Sequence, residues 1–334
     1  MENLVSVIIP NYNGASTIGK CLEAALASSH ENFEIIVADD ASQDNSVELI
    51  SQFPCKLARL AQHGGAAKAR NIGAQQSRGE ILFFTDADCL LQENTLRLAL
   101  ATLASAGPRS IVGGTYTLAP YDRRFCSRFQ SVFIHYFETK HAPATDYVAT
   151  HALAMRADLF REFRGFAEDS LPILEDVEFS HRLRRAGIRL LVNPAIQVRH
   201  IFDYSLYRSL RNAYVKSKYW TRYAIGNRDL LADSGTASRE LKLTVAAWTL
   251  NGLLLTGYLF SGRTVIMMPM LLLLACNLYA SRGLLLAFHR AEGMVFAVSA
   301  AVYYLLVYPA AVVCGALAGL ALALRYPAQT RGGP

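Results

Sequence analysis

The sequence predicts an α/β fold, with a doubly wound, Rossmann-like sheet followed by an α-helical membrane region. In the first 120 residues, short apolar runs alternate with segments of helical periodicity, which is the pattern of strands that alternate with helices. Polar clusters follow three of these runs, at the strand ends where such sheets bind ligands. Three later stretches contain no charged side chain and are long enough to cross a bilayer: residues 243–262, 264–281 and 293–324.

Four strand–helix pairs are predicted in the first region, which extends to about residue 120. The predicted strands are LVSVII, FEIIVA, KLARLA and EILFFT, and the helices that follow them lie near residues 16–28, 45–52, 66–77 and 93–106. Polar clusters at residues 10–13, 39–40 and 86–88 come directly after three of the strands. Because the carboxyl ends of parallel strands lie at the same edge of a sheet, we expect these clusters to meet.

The second region, residues 121–242, mixes strand-like and helical patterns. YVATHALAM and IRLLVN resemble strands, and a helix is predicted over residues 177–186. No repeat or low-complexity linker separates this region from the first, so we expect both to form one domain. The predicted division is a first domain of residues 1–203, a basic juxtamembrane helical segment of residues 204–242, about three transmembrane helices in residues 243–326, and a tail of residues 327–334.

The distribution of charge indicates a membrane, and not nucleic acid, as the partner of this chain. The 334 residues are 52% hydrophobic and 18% charged, with a formal net charge of +6. Lys and Arg concentrate in residues 208–242, together with Tyr and Trp, directly before the first apolar stretch. Such a segment is typical of binding to anionic lipid headgroups, although a solvated helix face has a similar composition.

The flanking charges also predict how the chain is oriented. The first apolar run has no basic flank and ends at Pro10, so we expect no secretory signal. Arg282 and Arg290 follow the second apolar stretch, whereas Arg263 alone follows the first, which favours a cytoplasmic second loop. Three crossings would place Arg325 outside, in conflict with that rule, and the number of spans stays open. We expect a multi-pass protein of the inner cell membrane with its first domain on the cytoplasmic face.

Asp86 and Asp88 end the buried run ILFFT and predict a cation site. Side chains two residues apart at a strand end share a face, and two neighbouring carboxylates repel unless a cation lies beside them. Mg²⁺ or Mn²⁺ suits oxygen ligands, above all where phosphates complete the coordination. The alternative is an exposed turn with two solvated Asp side chains. The six cysteines have no ligand spacing and are expected to be reduced and structural.

Four segments in order resemble the family 2 inverting glycosyltransferases, which have the GT-A fold. They are VSVIIPNYNG, FEIIVADDASQDNS, GGAAKARNIGAQQSRGEILFFTDADC and LPILEDVEFSHRLRRAG, and the resemblance covers residues 4 to about 200. It implies a GT-A catalytic domain with a mixed sheet, a nucleotide-diphosphate sugar as donor, and Mg²⁺ or Mn²⁺ as cofactor.

The resemblance also implies roles for individual residues. Asp88 would ligate the metal, together with Asp86 and with His200 as a third ligand. Asp176 would be the general base that takes the proton of an acceptor hydroxyl, with Glu175 and Glu178 as lesser candidates. The alternative for these acids is the first turn of a helix, where the helix dipole favours negative charge.

The implied donor site draws on several strand ends and on one helix. For Arg70 the alternative is a surface charge, and for His200 a structural histidine. Gly113 and Gly114 are expected to let the backbone approach sugar or phosphate. His151 and Arg156 lie in THALAMRADLF, which matches the segment that lines the donor-sugar and acceptor site in the family. His151 stands where the family usually has a small residue. The implied donor-binding residues are Pro10, Tyr12, Asp40, Arg70, Asn71, Asp86, Gly114 and His151.

The predicted function is therefore that of a membrane-anchored inverting glycosyltransferase with a lipid-linked or cell-envelope glycan as acceptor. The Gln-x-x-Arg-Trp motif of the family's polymer-forming members is absent from LRNAYVKSKYW, so we expect the addition of a single sugar. Two alternatives stay open. One is a polyprenyl-phosphate sugar synthase, whose anionic acceptor needs no general base, and the other is a non-catalytic membrane scaffold that binds nucleotide sugars.

Overall fold

The structure is a computed structural model that describes residues 3–168 and 171–325. The chain divides into two compact units. The first comprises the residues up to Arg123 together with Phe137–Asp203, and the second comprises Arg124–Tyr136 together with the residues from Tyr204 onward. The predicted boundary at residue 203 thus coincides with a boundary between units, but residues 124–136 cluster with the second unit. The predicted tail, residues 327–334, lies outside the described residues.

The first half of the first unit has the alternation of strands and helices that the sequence predicts. Its elements are β1 (Val5–Asn11), α1 (Ile18–Leu26), β2 (Phe33–Asp39), α2 (Ser46–Ile50), β3 (Lys56–Arg59), α3 (Ala66–Gln75), β4 (Ile81–Phe84), β5 (Cys89–Leu91), α4 (Thr95–Ala106) and β6 (Ser110–Tyr116). Every residue of β4 and of β6 is buried, so these strands are continuous apolar or small-residue runs without polar alternation. The sequence analysis missed β6, because its two glycines weaken a strand pattern.

The second half of the unit differs more from the prediction. Its elements are α5 (Phe125–Thr139), a 3₁₀ turn (Thr150–Ala152), β7 (Leu153–Arg156), α6 (Ala157–Glu162), α7 (Glu175–Arg185) and β8 (Arg189–His200). Of the strand-like segment YVATHALAM, only the last three residues lie in a strand. The strand predicted at IRLLVN continues much further, to His200.

One mixed sheet of eight strands organises the first unit, in the order β3-β2-β1-β4-β7-β6-β8-β5. Strands β3, β2, β1 and β4 are parallel, whereas β7 runs antiparallel between β4 and β6. This mixed, doubly wound sheet with helices confirms the predicted fold class. Phe84 pairs with Leu153 and Ile81 with Arg156, so the amino end of β7 lies at the carboxyl end of β4.

The same register corrects the prediction for Arg156. Because Arg156 pairs with the first residue of β4, it lies at the edge of the sheet opposite Asp86 and Asp88. There its guanidinium pairs with Asp158, 2.6 Å away. The segment THALAMR therefore contributes its first residues, and not its last, to the edge where the polar clusters meet.

An apolar cluster fixes the sheet against the helices of the first unit. Ile8, Leu82 and Phe84 of neighbouring strands lie in the same buried cluster as Phe160 and Phe179. Phe84 and Phe160 are 5.2 Å apart between ring centroids. Because each of these side chains is at most 5% exposed, the carboxyl end of β4 is held on a rigid, water-free base.

The second unit is helical. Besides residues 125–136 of α5, it contains α8 (Leu206–Asn227), α9 (Arg239–Ser261), α10 (Met267–Ala280), α11 (Arg282–Glu292), α12 (Met294–Val302) and α13 (Tyr308–Arg325). By length and composition, two helices are able to cross a membrane, Arg239–Ser261 and Met294–Arg325. The bent pair Thr264–Ala280 and Arg282–Glu292, with an angle of 59° between its parts, raises the number to three if it forms one span.

Two expectations for this part differ from the structure. The segment 204–242, which was predicted to be helical throughout, is interrupted. Helix α8 ends at Asn227, a non-helical stretch follows, and α9 begins at Arg239. Arg282 and Arg290 lie in helix α11 and not in a loop. The last span continues through Pro309 by way of a π-helical turn, Tyr303–Val307, because proline removes one helical N–H and its ring needs space in the preceding turn.

Candidate active site

Hydrogen bonds join the loops that follow β1 and β2 into one rigid surface. The Asn11 amide donates to Asp39 Oδ1, 2.9 Å away, and to Ser42 Oγ, 3.2 Å away. The Asn13 carbonyl oxygen Oδ1 accepts from the backbone N–H of Gln43 at 2.8 Å. The polar residues of PNYNG and DDASQ therefore mainly bind each other, and this fixes the strand ends that surround them.

Asp40 shapes the loop that leads into α3. The Asp40 side chain is buried, and its oxygens accept from the backbone N–H groups of Gly64 and Gly65 at 2.7 and 2.8 Å. His63 Nδ1 lies 2.8 Å from Asp40 Oδ2, and the His63 ring contacts the Tyr12 ring with centroids 4.2 Å apart. The sequence analysis missed His63. Tyr12 is 47% exposed, so the Tyr12–His63 pair offers an aromatic surface beside the buried carboxylate.

Arg70 connects two of the predicted acidic motifs. Its side chain is 5% exposed, and it donates through Nη2 to Asp86 Oδ1 at 2.6 Å and through Nη1 to Glu175 Oε1 at 2.5 Å. The alternative of a surface charge is thereby wrong for Arg70. Burial lowers the pKa of the guanidinium, but the charges of Asp86 and Glu175 raise it more, so the pKa lies above its ordinary value. Arg70 thus holds the end of β4 and the start of α7 together.

Asn71, the neighbour of Arg70, binds a different part of the chain. Its amide donates to the Phe166 carbonyl and to Glu168 Oε1, each at 2.9 Å, and its oxygen accepts from the Phe166 N–H. These bonds fix the segment after α6. The side-chain amide of Asn71 is thus engaged in bonds within the protein. Its donor-binding role stays a prediction.

Asp88 and His200 come together through the pairing of β5 with β8. Cys89 lies opposite His200 in this antiparallel ladder, and His200 Nε2 is 3.4 Å from Asp88 Oδ1. Within the described ranges, possible ligand atoms of Asp88, Cys89 and His200 lie within 4.8 Å of one another. Asp86, the other predicted metal ligand, is not part of this group, and its Oδ1 accepts a hydrogen bond from Arg70. Its role as a metal ligand stays a prediction.

The pKa values of the two aspartates shift in opposite directions. For Asp86, burial raises the pKa, but the charge of Arg70 and then that of His151 lower it more, so the pKa lies below its ordinary value. For Asp88, burial raises the pKa, and the neighbouring charge of Asp86 raises it further against the opposing effect of His200. A cation at Asp88 would relieve this repulsion.

The first turn of α7 presents the predicted general base. Leu174, the residue before the helix, has a φ of 77°, which is a strained, left-handed conformation for a leucine. Glu175 bonds to Arg70, and Glu178 pairs with Arg182 at 3.1 Å. Asp176 Oδ1 accepts from the backbone N–H of Val177 at 2.8 Å. Both lesser candidates therefore have a cationic partner.

The close backbone approach predicted at Gly113 and Gly114 occurs inside the protein. A Cβ atom on Gly114 would lie 2.3 Å from the carbonyl oxygen of Ile196 in β8, and one on Gly113 would lie 2.4 Å from the Val148 side chain. Close pairing with β8 at a strand irregularity thus explains Gly114, and packing against Val148 explains Gly113. A contact of Gly114 with the donor stays a prediction.

Comparison with known proteins adds the family. Residues 6–163, a little under half of the chain, match the family model described as "Glycosyl transferase family 2". This segment is therefore similar to the family 2 glycosyltransferases, and the chain spans about half of the length of the curated relatives that it matches. Among curated relatives, the glycosyltransferase GlyG of Streptococcus pneumoniae is 31% identical over 37% of this chain and 43% of its own length. The glycosyltransferase AglE of Haloferax volcanii is 30% identical over 56% of this chain and 63% of its own.

Solved structures agree on the fold of this chain. The chain is similar to a mannosyltransferase from Pyrobaculum calidifontis, solved in complex with GDP-Man and Mn²⁺, with a TM-score of 0.59. The similarity covers 96% of this chain and 88% of that one, at 18% sequence identity. The GT-A fold predicted from the motifs is thereby confirmed.

Proposed function

We propose that this family 2 glycosyltransferase is membrane-anchored and metal-dependent, and that it transfers one sugar, with inversion, from a nucleotide-diphosphate sugar to a lipid-linked or cell-envelope glycan. The observation that carries the proposal is the convergence of Arg70, Asp86, Asp88 and Glu175, with His200, at the carboxyl edge of β4. Ligands of doubly wound sheets bind at this edge.

The residues at this edge fit a divalent cation. Carboxylates outnumber the cationic groups, and Asp88 and His200 supply one oxygen and one nitrogen ligand. The Cys89 thiol is a poor third ligand, since burial and the charge of Asp88 raise its pKa well above its ordinary value. This donor set favours Mg²⁺ or Mn²⁺ over thiolate-binding metals. A bound ion of this kind would neutralise charge on the donor diphosphate. The similar mannosyltransferase was solved in complex with GDP-Man and Mn²⁺.

Asp176 is the proposed general base. In this reaction the acceptor oxygen forms a bond to the anomeric carbon, the bond from that carbon to the phosphate oxygen breaks with its electron pair leaving on the diphosphate, and the hydroxyl proton passes to Asp176. The charge of Asp176 acts on both Arg70 and His151, which supports a position of this carboxylate beside the proposed donor site, where a general base would act.

The donor would lie across the remaining strand ends. The exposed Tyr12 ring beside His63 fits a nucleotide base, and Pro10, Asp40, Asn71, Gly114 and His151 remain in the proposed donor site with Arg70 and Asp86. The apolar helices Arg239–Ser261 and Met294–Arg325 support membrane anchoring. The cytoplasmic orientation of the first domain is part of the proposal and rests on the sequence alone.

Purification in detergent and a screen of nucleotide sugars test this function. We expect release of nucleoside diphosphate that requires Mn²⁺ or Mg²⁺ and falls at least about a hundredfold in Asp88→Ala. Asp158→Ala, at the opposite edge of the sheet, is the matched control and should retain activity. Equal release in the presence of a chelator would contradict the metal site. Saturable binding of a nucleotide sugar without turnover of any donor would favour the non-catalytic scaffold.

A further inference from the structure

Helix α8 carries positive charges and no negative ones. Its residues, Leu206–Asn227, include five Lys or Arg side chains and no Asp or Glu. Three of these cations, Arg211, Lys218 and Arg222, share one helix face by their spacing, and none of the three pairs with a carboxylate of the described residues. Ala213 is buried on another face. A basic helix face without acidic partners favours an anionic surface such as lipid headgroups.

The other face of α8 packs closely on α13. A Cβ atom on Gly315 would lie 2.3 Å from the Tyr214 carbonyl oxygen, and one on Gly319 would lie 2.3 Å from that of Lys218. The absence of a side chain at both glycines lets the two backbones approach. Because both partners advance by four residues, the helices run parallel here, and their register places the cations of α8 beside residues 309–323.

Charges beside the helix Met294–Arg325 leave too little of it for a crossing, although its length and composition allow one. Near its start, the Arg128 guanidinium lies 4.5 Å from the Phe296 ring centroid and pairs with Glu292. The cations of α8 begin beside residue 309. About 20 Å of helix separates these two levels of charge, whereas the hydrocarbon core of a bilayer is about 30 Å thick. A charge inside that core is costly.

Six exposed apolar side chains of the same helix lie along one face. They recur at intervals of three, four or eleven residues, which keeps them on one side of the helix axis. Phe296, Ala300 and Val312, on another face, are buried. A helix in the plane of the membrane surface presents one apolar stripe of this kind to lipid. The exposed residues are Val298, Val302, Leu306, Leu317, Leu320 and Leu324.

The hairpin of α9 and α10 has the properties of two crossings. No charged residue occurs between Lys242 and Arg263, or between Arg263 and Arg282. As helix these stretches are about 30 and 27 Å long, which matches the thickness of the hydrocarbon core. Leu253 and Leu259 of α9 are 65% and 73% exposed, so this part of the hairpin is open to lipid.

We propose that the chain crosses the membrane twice, by the hairpin of α9 and α10, and that α8 and the helix Met294–Arg325 lie in the headgroup layer, where the basic face of α8 binds anionic phospholipids. The inference rests on the membrane anchoring in the proposed function. Two crossings return the chain to its first side, so the residues before Arg239 and those after Arg282 lie on one side of the membrane. Arg325 then lies on the same side as the cations of α8, which agrees with the excess of Lys and Arg on cytoplasmic segments.

Three epitopes in the full chain, read by protease protection in sealed vesicles of known orientation, test the number of crossings. One is placed at the amino terminus, one between Gly262 and Arg263, and one at the carboxyl terminus. We expect both terminal epitopes on one side of the membrane and the third on the other. If the insertion disrupts the hairpin, Ser261→Cys with a membrane-impermeant maleimide reports the same position.

Terminal epitopes on opposite sides of the membrane would show that the helix Met294–Arg325 crosses, and would overturn the inference. All three positions on one side would overturn it too, because the hairpin would then not cross. A chain that carbonate washing without detergent removes from membranes would count against the membrane anchoring in the proposed function as well.

Thermal unfolding of the full chain in nanodiscs tests the anionic partner of α8. We expect a higher Tm in phosphatidylglycerol than in phosphatidylcholine, because a lipid that binds the folded state stabilises it. At least half of that difference should be lost in the triple variant Arg211→Gln, Lys218→Gln and Arg222→Gln.

The matched control removes three exposed arginines of the first unit and should keep the full difference in Tm between the two lipids. The control substitutions are Arg161→Gln, Arg164→Gln and Arg184→Gln. An equal Tm of the wild type in both lipids, or an undiminished difference in the α8 variant, would overturn the role of α8.

Discussion

Single residues at the carboxyl edge act through charge, and Arg70 shows this most clearly. Its guanidinium is buried between Asp86 and Glu175, two acids that lie far apart in the sequence. The buried cation and the two partly buried acids stabilise each other, because removal of the cation leaves two partly desolvated carboxylates that repel. The planar guanidinium reaches both at once, which a lysine ammonium does with poorer geometry.

Arg70→Gln is expected to lower the free energy of unfolding of the first unit by about 2–3 kcal/mol, because it leaves two partly buried carboxylates without a cation. Arg70→Lys should lose less stability but should still reduce turnover. Thermal unfolding in detergent, together with release of nucleoside diphosphate, measures both effects. Arg109→Lys, in an exposed pair with Glu162, is the control and should change neither. A stable Arg70→Gln protein would show that the triad does not hold α7 in place.

Asp176→Asn distinguishes the two enzyme alternatives. For a hydroxyl acceptor, loss of the general base should slow sugar transfer by about 10²–10⁴-fold while nucleotide affinity is retained. For a phosphate acceptor, which is already anionic, transfer should continue almost unchanged. Steady-state transfer and nucleotide titration of the same preparation measure the two quantities. Glu178→Gln, whose carboxylate pairs with Arg182, is the control for an acid in the same helical turn.

At the scale of elements, hydrogen bonds between side chains and neighbouring backbones fix the strands to each other. On β2, Glu34 accepts from Ser6 Oγ of β1 at 2.7 Å. It also accepts from the backbone N–H of Arg78 at 2.6 Å, just before β4. Burial raises the pKa of Glu34, but the hydrogen bonds from Arg78 and Ser6 lower it more, so the pKa lies below its ordinary value. One carboxylate thus connects three segments of the sheet.

Glu34→Gln is expected to cost about 1–2 kcal/mol of unfolding free energy near neutral pH. A carboxyl with a depressed folded pKa stabilises the protein above the unfolded value, about 4.3 for Glu, and this contribution disappears as the pH falls through the folded value. The difference between wild type and variant should therefore shrink below about pH 4.3. Denaturant unfolding at several pH values measures it. Glu162→Gln, at an exposed pair, should show no such dependence, and a constant difference at all pH values would contradict the assignment.

At the scale of the whole molecule, the chain enters the helical unit twice. Residues 124–136 of α5 belong to that unit, and the chain then returns to the sheet before it leaves at Tyr204. Within the helical unit, Phe129 lies 5.1 Å from Phe288 and 4.8 Å from Tyr303 between ring centroids, and Phe133 lies 5.6 Å from Tyr308. Residues 124–136 thus lie within the part of the sequence that forms the sheet, but their aromatic partners come from residues 288–308.

A chain truncated after Asp203 should therefore aggregate, because Phe129 and Phe133 would lose aromatic partners that now keep both rings buried. Size-exclusion chromatography without detergent measures this. The truncated chain with Phe129→Ser and Phe133→Ser is the matched comparison and should be more soluble. A monomeric truncated chain with the native phenylalanines would contradict the assignment of this segment to the helical unit.

The sequence by itself determined the alternating strands and helices, the acidic strand ends, the family resemblance and the apolar helices. These follow from local periodicity and from residue types at short spacing. Only the tertiary structure decided that Arg70 is buried between Asp86 and Glu175, that Cys89 and His200 are paired, and that Arg156 lies at the far edge. It also brought Glu138 to His151. The physical reason is that these contacts depend on strand register and on helix packing between distant segments, and a shift of one residue in register would move each side chain to the other face.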